Sequence, residues 1–291
     1  MSANRAGIVE AADPARARAS LVRNGFVHLG DQLEPRVVSE LREAIGEALA
    51  QRSPDLLRAP DGHVRKLTYP LDKHPAFMVA LAHPRILGLA LSLSPRPEQM
   101  VLTWEDVLLK PAGIGLHVEV HQDLALQWHG GGVFSLGVHL DDASLNPVEF
   151  SPGSHAEGPL TRVQVRSHPG PFLPVAPAVG DIVAHDVLVV HRSAPNRSPR
   201  PRTTWYLEFR TLGQLAQGPW SLEWALDRRA LLFHAVAARR DAGLEAEWPP
   251  LGPGETLATW LERPRRLRIP HVCEGVDYDP TSPWFHFGED A

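Results

Sequence analysis

The chain has 291 residues, with 29 Lys+Arg against 34 Asp+Glu for a formal charge of −5, and this mild negative balance argues against a nucleic-acid binder, which would carry a basic face. At 43% hydrophobic and 22% charged it has the composition of a globular domain rather than a disordered or fibrous chain. The single cysteine, Cys273, excludes a disulfide framework, a zinc ribbon and a CxxC redox motif.

The first ten residues contain no uninterrupted apolar stretch, so no signal peptide is visible. The most apolar run, Phe77 to Ser94, is broken by His83, Pro84 and Arg85 and cannot serve as a membrane span. A cytoplasmic protein with neither a membrane nor a nucleic-acid partner is expected. Lysine stands only at Lys66, Lys73 and Lys110, and the 28 prolines are about twice the usual share; both fit a high-GC coding bias.

The first hundred residues read as helical. From Glu34 to Leu49, Val38, Leu41, Ile45 and Leu49 form one apolar stripe, and Pro35 suits a first helical turn. A second helical region is expected over Pro75 to Leu93, with Pro84 marking a break. From about residue 100 the pattern changes to short strand-like runs near 101–110, 117–123, 133–142, 148–151, 181–190 and 203–211. Turn signals separate them at Pro111-Ala-Gly113, Gly130-Gly-Gly132, Pro152-Gly153 and Pro195-Asn196. Strands without alternating helices predict a mainly β fold with flanking helices, an antiparallel barrel or double-sheet jelly roll. Helix returns around Ser221–Arg240, followed by a proline-rich stretch and an aromatic tail with Trp284 and Phe285. The simplest organisation is one domain over 1–291, with a helical flank at 1–99, a β core at 100–212 and a C-terminal extension at 213–291 that builds a lid or a subunit contact.

Among fifteen histidines, spacing selects the candidates. His121-Gln122-Asp123 places an imidazole and a carboxylate two residues apart, on one face of a strand. His191 ends a later apolar strand that could lie beside the first. Two histidines and one carboxylate are the facial triad of non-heme Fe(II) oxygenases, which leaves positions open for a co-substrate and O2. Arg202 opens the next predicted strand, where a guanidinium could reach back and pair with a ligand's carboxylate, as that of 2-oxoglutarate.

The segments His121-Gln-Asp123, Ser151-Pro-Gly-Ser-His155 and Gly180 to Arg202 resemble the phytanoyl-CoA dioxygenase family, with the last stretch the most specific. The resemblance covers roughly residues 15 to 212. It implies a cupin-like double-stranded β-helix and an Fe(II)/2-oxoglutarate-dependent oxygenase that oxidises a small-molecule substrate, using O2 and releasing succinate and CO2. By position, His121, Asp123 and His191 would bind iron and Arg202 the distal carboxylate of 2-oxoglutarate. Ser193 matches a hydroxyl that assists that carboxylate, and Lys110 a family lysine close to the same pocket. Trp104 stands where relatives present a polar contact to 2-oxoglutarate, which leaves the proximal-carboxylate contact unassigned. One glycine of the family pattern is missing near Asn146-Pro-Val148, in a loop expected not to touch the iron ligands. With Asp123 in place, halogenation, which needs a small residue there, is not expected.

The remaining motifs have plainer readings. A second HxD, His139-Leu140-Asp141, lies opposite the apolar row Phe134, Leu136, Val138 and Leu140 and reads as a solvated or metal-supporting pair. His117 shares the parity of His121 and Asp123 and reads as pocket wall or core. Trp128 and His129 precede Gly130-Gly-Gly132 and either line the substrate pocket or pack on a loop stem. His185 and Asp186 read as structural, and His155 as support for a Pro-Gly turn. Arg200 would share a strand face with Arg202. No GxSxG, Walker or dinucleotide motif is present. Three other classes stay open: a cupin-like metalloenzyme that does not use 2-oxoglutarate, a non-catalytic metal-binding relative, and a zinc hydrolase on the same triad.

Overall fold

The computed structural model describes residues 8–9, 13–51, 53–59, 61–114, 117–123, 132–218 and 220–268; Cys273, Trp284 and Phe285 lie outside the described residues. The chain opens with β1 (Ile8–Val9) and α1 (Pro14–Asn24), whose first turn is capped by the Asp13 carboxylate, which accepts from the amides of Ala15 and Arg16. Gly25 ends α1 at φ 81°, and β2 (Phe26–Leu29) follows at once. The predicted stripe forms α2 (Pro35–Ala50), which buries Val38, Leu41 and Ile45. A hairpin of β3 (Leu56–Arg58) and β4 (Val64–Thr68) leads through α3 (Pro70–Lys73) to α4 (Pro75–Leu81). Pro84 breaks the next helix as expected. A five-residue π turn, Pro84–Gly88, separates α4 from α5 (Leu89–Leu93), and His83 caps it by accepting from the Arg85 amide.

Then come β5 (Met100–Lys110), β6 (Val118–His121), β7 (Phe134–His139), β8 (Val148–Phe150), α6 (Arg162–Arg166), β9 (Leu173–Val175), β10 (Ile182–Asp186), β11 (His191–Ser193) and β12 (Arg202–Thr211). The chain continues through α7 (Leu212–Leu215), α8 (Leu222–Asp241) and α9 (Leu257–Leu261). Among the described residues the strands form two sheets. The larger runs β1-β2-β10-β7-β12-β5-β4-β3 and the smaller β6-β11-β8-β9. Apart from the parallel β1–β2 pair, every pairing is antiparallel, which is the double-sheet jelly roll.

Alternation along β12 explains the layering. Trp205, Leu207 and Phe209 are fully buried in the main core, where Trp205 meets Phe77 of α4 edge-on at 5.2 Å. The intervening residues face the smaller sheet: the Arg202 guanidinium lies 3.5 Å from the Ser193 hydroxyl on β11. Helices therefore back one face of the large sheet, and the small sheet covers the other. α8 is tied to that back through Arg228, which donates to the Leu102 carbonyl at 2.8 Å and to Glu105 at 2.6 Å.

Three parts of the fold differ from the sequence expectation. The helical N-terminal flank also supplies β2, β3 and β4 to the large sheet. β2 is buried at all four positions and so shows no alternation to read. The predicted strand 181–190 stops at Asp186, which turns the chain by accepting from the Leu188 amide at 2.9 Å, and the next strand begins only at His191. The described part of the C-terminal extension is backing rather than lid. Asp227 of α8 holds Arg263 and Arg266, and Arg268 reaches Asp55 and Asp72. No single described helix is long and apolar enough to cross a membrane.

Because Trp205 joins the large sheet to α4, Trp205→Ala is expected to destabilise the chain by about 3–5 kcal/mol, read as a lowered urea midpoint at unchanged slope.

Candidate functional site

The site is built where the two sheets face each other. Antiparallel pairing of β11 with β6 sets His191 directly opposite His121, with ring centroids 4.1 Å apart. Asp123 lies two residues beyond the end of β6, and its amide donates to the Val187 carbonyl at 2.8 Å. Gln122, between the two, is only 2% exposed. Its amide group donates to the Leu188 carbonyl at 2.6 Å and the Gly158 carbonyl at 3.0 Å and accepts from the Leu160 amide at 2.9 Å, so it rivets the strand end in place. One ligand atom each from His121, Asp123 and His191 then lies within 4.8 Å of the others.

The hydrogen bonds select the tautomers. His121 Nδ1 faces the Glu119 carbonyl at 2.8 Å and His191 Nδ1 the Val189 carbonyl at 3.0 Å. A carbonyl only accepts, so each Nδ1 carries a proton, and each ring, when neutral, offers its Nε2 lone pair. Both Nε2 atoms point toward Asp123 Oδ1, at 3.2 and 3.7 Å. Burial and the neighbouring His121 push His191 down to about 3, so it stays neutral. Burial alone would raise the Asp123 carboxyl, but His191, His121 and His185 outweigh it and hold the group well below the usual carboxylate range. Against burial, the hydrogen bond to Asp123 raises His121.

Sequence reasoning missed His185. Its Nε2 lies 2.7 Å from Asp123 Oδ2, and the ring is 2% exposed. Since a carboxylate only accepts, His185 donates and fixes which oxygen faces the two ligand histidines. No local motif marks it, because its contact with Asp123 is made across the two sheets. His139 needs a correction. It is neither solvated nor attached to the triad, but is 1% exposed and 3.3 Å from the Thr204 hydroxyl, and burial beside Arg202 keeps it neutral. Its partner in the motif, Asp141, points away to Arg42 at 2.8 Å. His155 ties the 151–155 turn to α1, with Nε2 3.0 Å from the Val22 carbonyl.

A second cluster lies at the β5–β12 end. Lys110 and Arg202 are direct cross-strand neighbours, 8% and 4% exposed. Lys110 Nζ donates to the Ser193 hydroxyl and the Ala194 carbonyl, both at 2.6 Å, and Arg202 to the Asn146 carbonyl at 2.8 Å. Neither cation has a carboxylate partner among the described residues. Burial, reinforced by Arg202, drops Lys110 to about 6. A small cavity of about 30 Å³ adjoins both, with His117 in its wall. Arg200 is excluded from this cluster: its side chain is 63% exposed and 3.4 Å from Asp142. The loop lacking a glycine does matter here, because Asn146 supplies the carbonyl for Arg202 and pins Ala194 and Pro195.

Of the predicted residues, the structure brings together His121, Asp123 and His191, and separately Lys110, Ser193, Arg202 and His117. Trp104 is not with them. It lies six residues along β5 from Lys110, roughly 20 Å away, and its Nε1 donates to Asp106 at 2.8 Å. Trp128 and His129 lie outside the described residues.

Two imidazoles and one carboxylate on a single face fit Fe(II). His185→Phe keeps ring volume but removes the bond to Asp123, so affinity for Fe(II) or Co(II), measured by anaerobic titration, is expected to fall roughly 10- to 100-fold.

Comparison with known proteins agrees with this geometry. No curated protein matches the chain by sequence. Among solved structures, AviO1 from Streptomyces viridochromogenes Tue57 is 27% identical, with a TM-score of 0.59 over 68% of this chain and 94% of that one. The non-heme α-ketoglutarate-dependent epimerase SnoN from nogalamycin biosynthesis is 25% identical, with a TM-score of 0.59 over 69% of this chain and 82% of that one. EvdMO1 is also 25% identical, with a TM-score of 0.59 over 67% of this chain, which spans about half its length (49%). The family model for phytanoyl-CoA dioxygenase (PhyH) matches residues 21–204, which hold both the triad and the Lys110–Arg202 cluster, and the chain belongs to that family.

Proposed function

We propose that the chain is an Fe(II)/2-oxoglutarate-dependent dioxygenase that hydroxylates or otherwise oxidises a C–H bond of a small organic substrate, a bacterial specialised metabolite, with release of succinate and CO2. The observation that carries this reading is the pairing of a His-Asp-His face with two buried cations that have no carboxylate partner among the described residues. What ferrous iron and 2-oxoglutarate supply when bound is the activation of O2 for attack on a C–H bond. His121 and His191 would present Nε2 and Asp123 its Oδ1, while His185 keeps the other carboxylate oxygen occupied. Lys110, Arg202 and the Ser193 hydroxyl would hold the distal carboxylate of the co-substrate, with His117 closing that side. Trp128 and His129 stay candidates for the substrate wall. Outcomes other than hydroxylation fall within this reading, since one solved relative, SnoN, is an epimerase.

The reading is tested by oxygen-dependent conversion of 2-oxoglutarate to succinate. Turnover should require ferrous iron and fall at least 100-fold in Asp123→Ala, the order of loss expected when a positioned ligand is removed. Conversion that survives without iron or oxygen would refute it.

The sign of a pH effect follows from Lys110. In the free protein its ammonium is half-titrated at about 6, and an incoming carboxylate favours the charged form. Binding of 2-oxoglutarate above that pH therefore takes up a proton, and affinity falls by up to about tenfold per pH unit as pH rises. Calorimetry in buffers of different ionisation enthalpy should detect the proton in wild type and not in Lys110→Met.

A further inference from the structure

Farther along the inner face of β5 and β12 is a second polar patch that the chemistry above does not use. Asp106 stands directly opposite Tyr206, and Trp104 opposite Glu208. Alternation puts all four on the face that carries Arg202 and Lys110. Tyr206 joins the patch to the triad, since its ring centroid is 6.2 Å from that of His185, which holds Asp123. The fold makes room for this ring: a Cβ at Gly137, the residue opposite on β7, would come within 2.9 Å of it.

Both carboxylates are nearly buried, at 5% and 6% exposure, and each is half-satisfied in the same way. The Lys66 ammonium and the Trp104 Nε1 converge on Asp106 Oδ2. The Thr103 hydroxyl at 2.7 Å and the Arg210 Nε at 2.9 Å converge on Glu208 Oε1. Among the described residues nothing donates to Asp106 Oδ1 or Glu208 Oε2. Each carboxylate also has its own cation, so the patch carries strong acceptors without net charge.

We propose that Asp106, Tyr206 and Glu208 form the substrate-recognition wall of this site and that it takes a neutral, hydroxyl-rich molecule such as a glycoside or cyclic polyol. The assignment rests on the oxygenase reading, because the wall is a substrate wall only if the triad beside it holds the metal. Hydroxyls donate to the two open carboxylate oxygens and can both accept from and donate to the Tyr206 hydroxyl. An alkyl chain would leave those oxygens buried without a donor, which is unfavourable, and an anionic ligand would meet the same two oxygens with like charge.

The hydrogen bonds also define the test. In Glu208→Gln, two donors require the amide oxygen at the Oε1 position, so the NH2 group turns to the open side and the acceptor becomes a donor. Asp106→Asn does the same beneath Lys66 and Trp104. The full chain, loaded anaerobically with Fe(II) and 2-oxoglutarate, would be titrated calorimetrically with methyl β-D-glucopyranoside, maltose, myo-inositol and octanoate. At least one carbohydrate or inositol should bind wild type, octanoate should not, and affinity should drop roughly 10- to 100-fold in each variant. 2-Oxoglutarate affinity, titrated in the same samples, should be unchanged in Glu208→Gln, which separates recognition from misfolding. Binding of octanoate alone, of no probe, or of carbohydrate equally by wild type and both variants would overturn the proposal. Loss of 2-oxoglutarate binding by wild type would instead overturn the oxygenase reading.

Discussion

The Asp123 carboxylate is the point on which the site depends. One oxygen lies within 3.2 and 3.7 Å of two imidazole nitrogens, and the other accepts from His185 at 2.7 Å. Each of these rings comes from a different strand: β6, β11 and β10. A single acidic group therefore registers both sheets against each other, and the sheets in turn fix its orientation. Two of the rings are themselves anchored through Nδ1 to backbone carbonyls two residues before them, so their ring orientation is set by backbone geometry. Such preorganisation suits a metal whose remaining positions must stay open.

The space between the sheets is unusually polar for a protein interior, and the distribution of that polarity has a pattern. Outward-facing residues of β12 are Trp205, Leu207 and Phe209, packed under helices, whereas the inward-facing row is Arg202, Thr204, Tyr206, Glu208 and Arg210. Burying such groups is unfavourable unless each finds a partner. Glu208 and Asp106 find cations, His139 stays neutral beside Thr204, and Lys110 loses much of its tendency to ionise. Among the described residues, what is left over is specific in place and sign: two cations without carboxylates at one end of β5 and β12, and two open carboxylate oxygens farther along.

The triad was legible in the sequence because its chemistry needs fixed spacing: His121 and Asp123 two apart on a strand, and His191 at the end of a later one. Arg202 was legible through its place at the start of β12, although parity alone could not separate it from Arg200. Burial does so in the structure, through the turn at 195–200 that Asn196 holds by donating to the carbonyls of Lys110, Pro111 and Arg200. His185 and Tyr206 were not legible, because their roles arise from cross-sheet contacts that leave no local motif. β2 escaped for a related reason, being a four-residue strand buried on both faces. β9 escaped because Pro174 interrupts it, which an edge strand of the small sheet tolerates. Trp104 illustrates the limit of transfer by position: its strand was right, but its indole is committed to Asp106.

The central claim is that the His-Asp-His face and the Lys110–Arg202 pocket act on one co-substrate. It is tested most directly by adding ferrous iron without oxygen, then 2-oxoglutarate, and recording the weak visible charge-transfer absorption that appears when the keto acid chelates the metal. This band is expected in wild type, with its loss in Asp123→Ala and a much weaker affinity for 2-oxoglutarate in Arg202→Ala. Iron that binds without developing the band, or a band formed with wild-type affinity in Arg202→Ala, would contradict it.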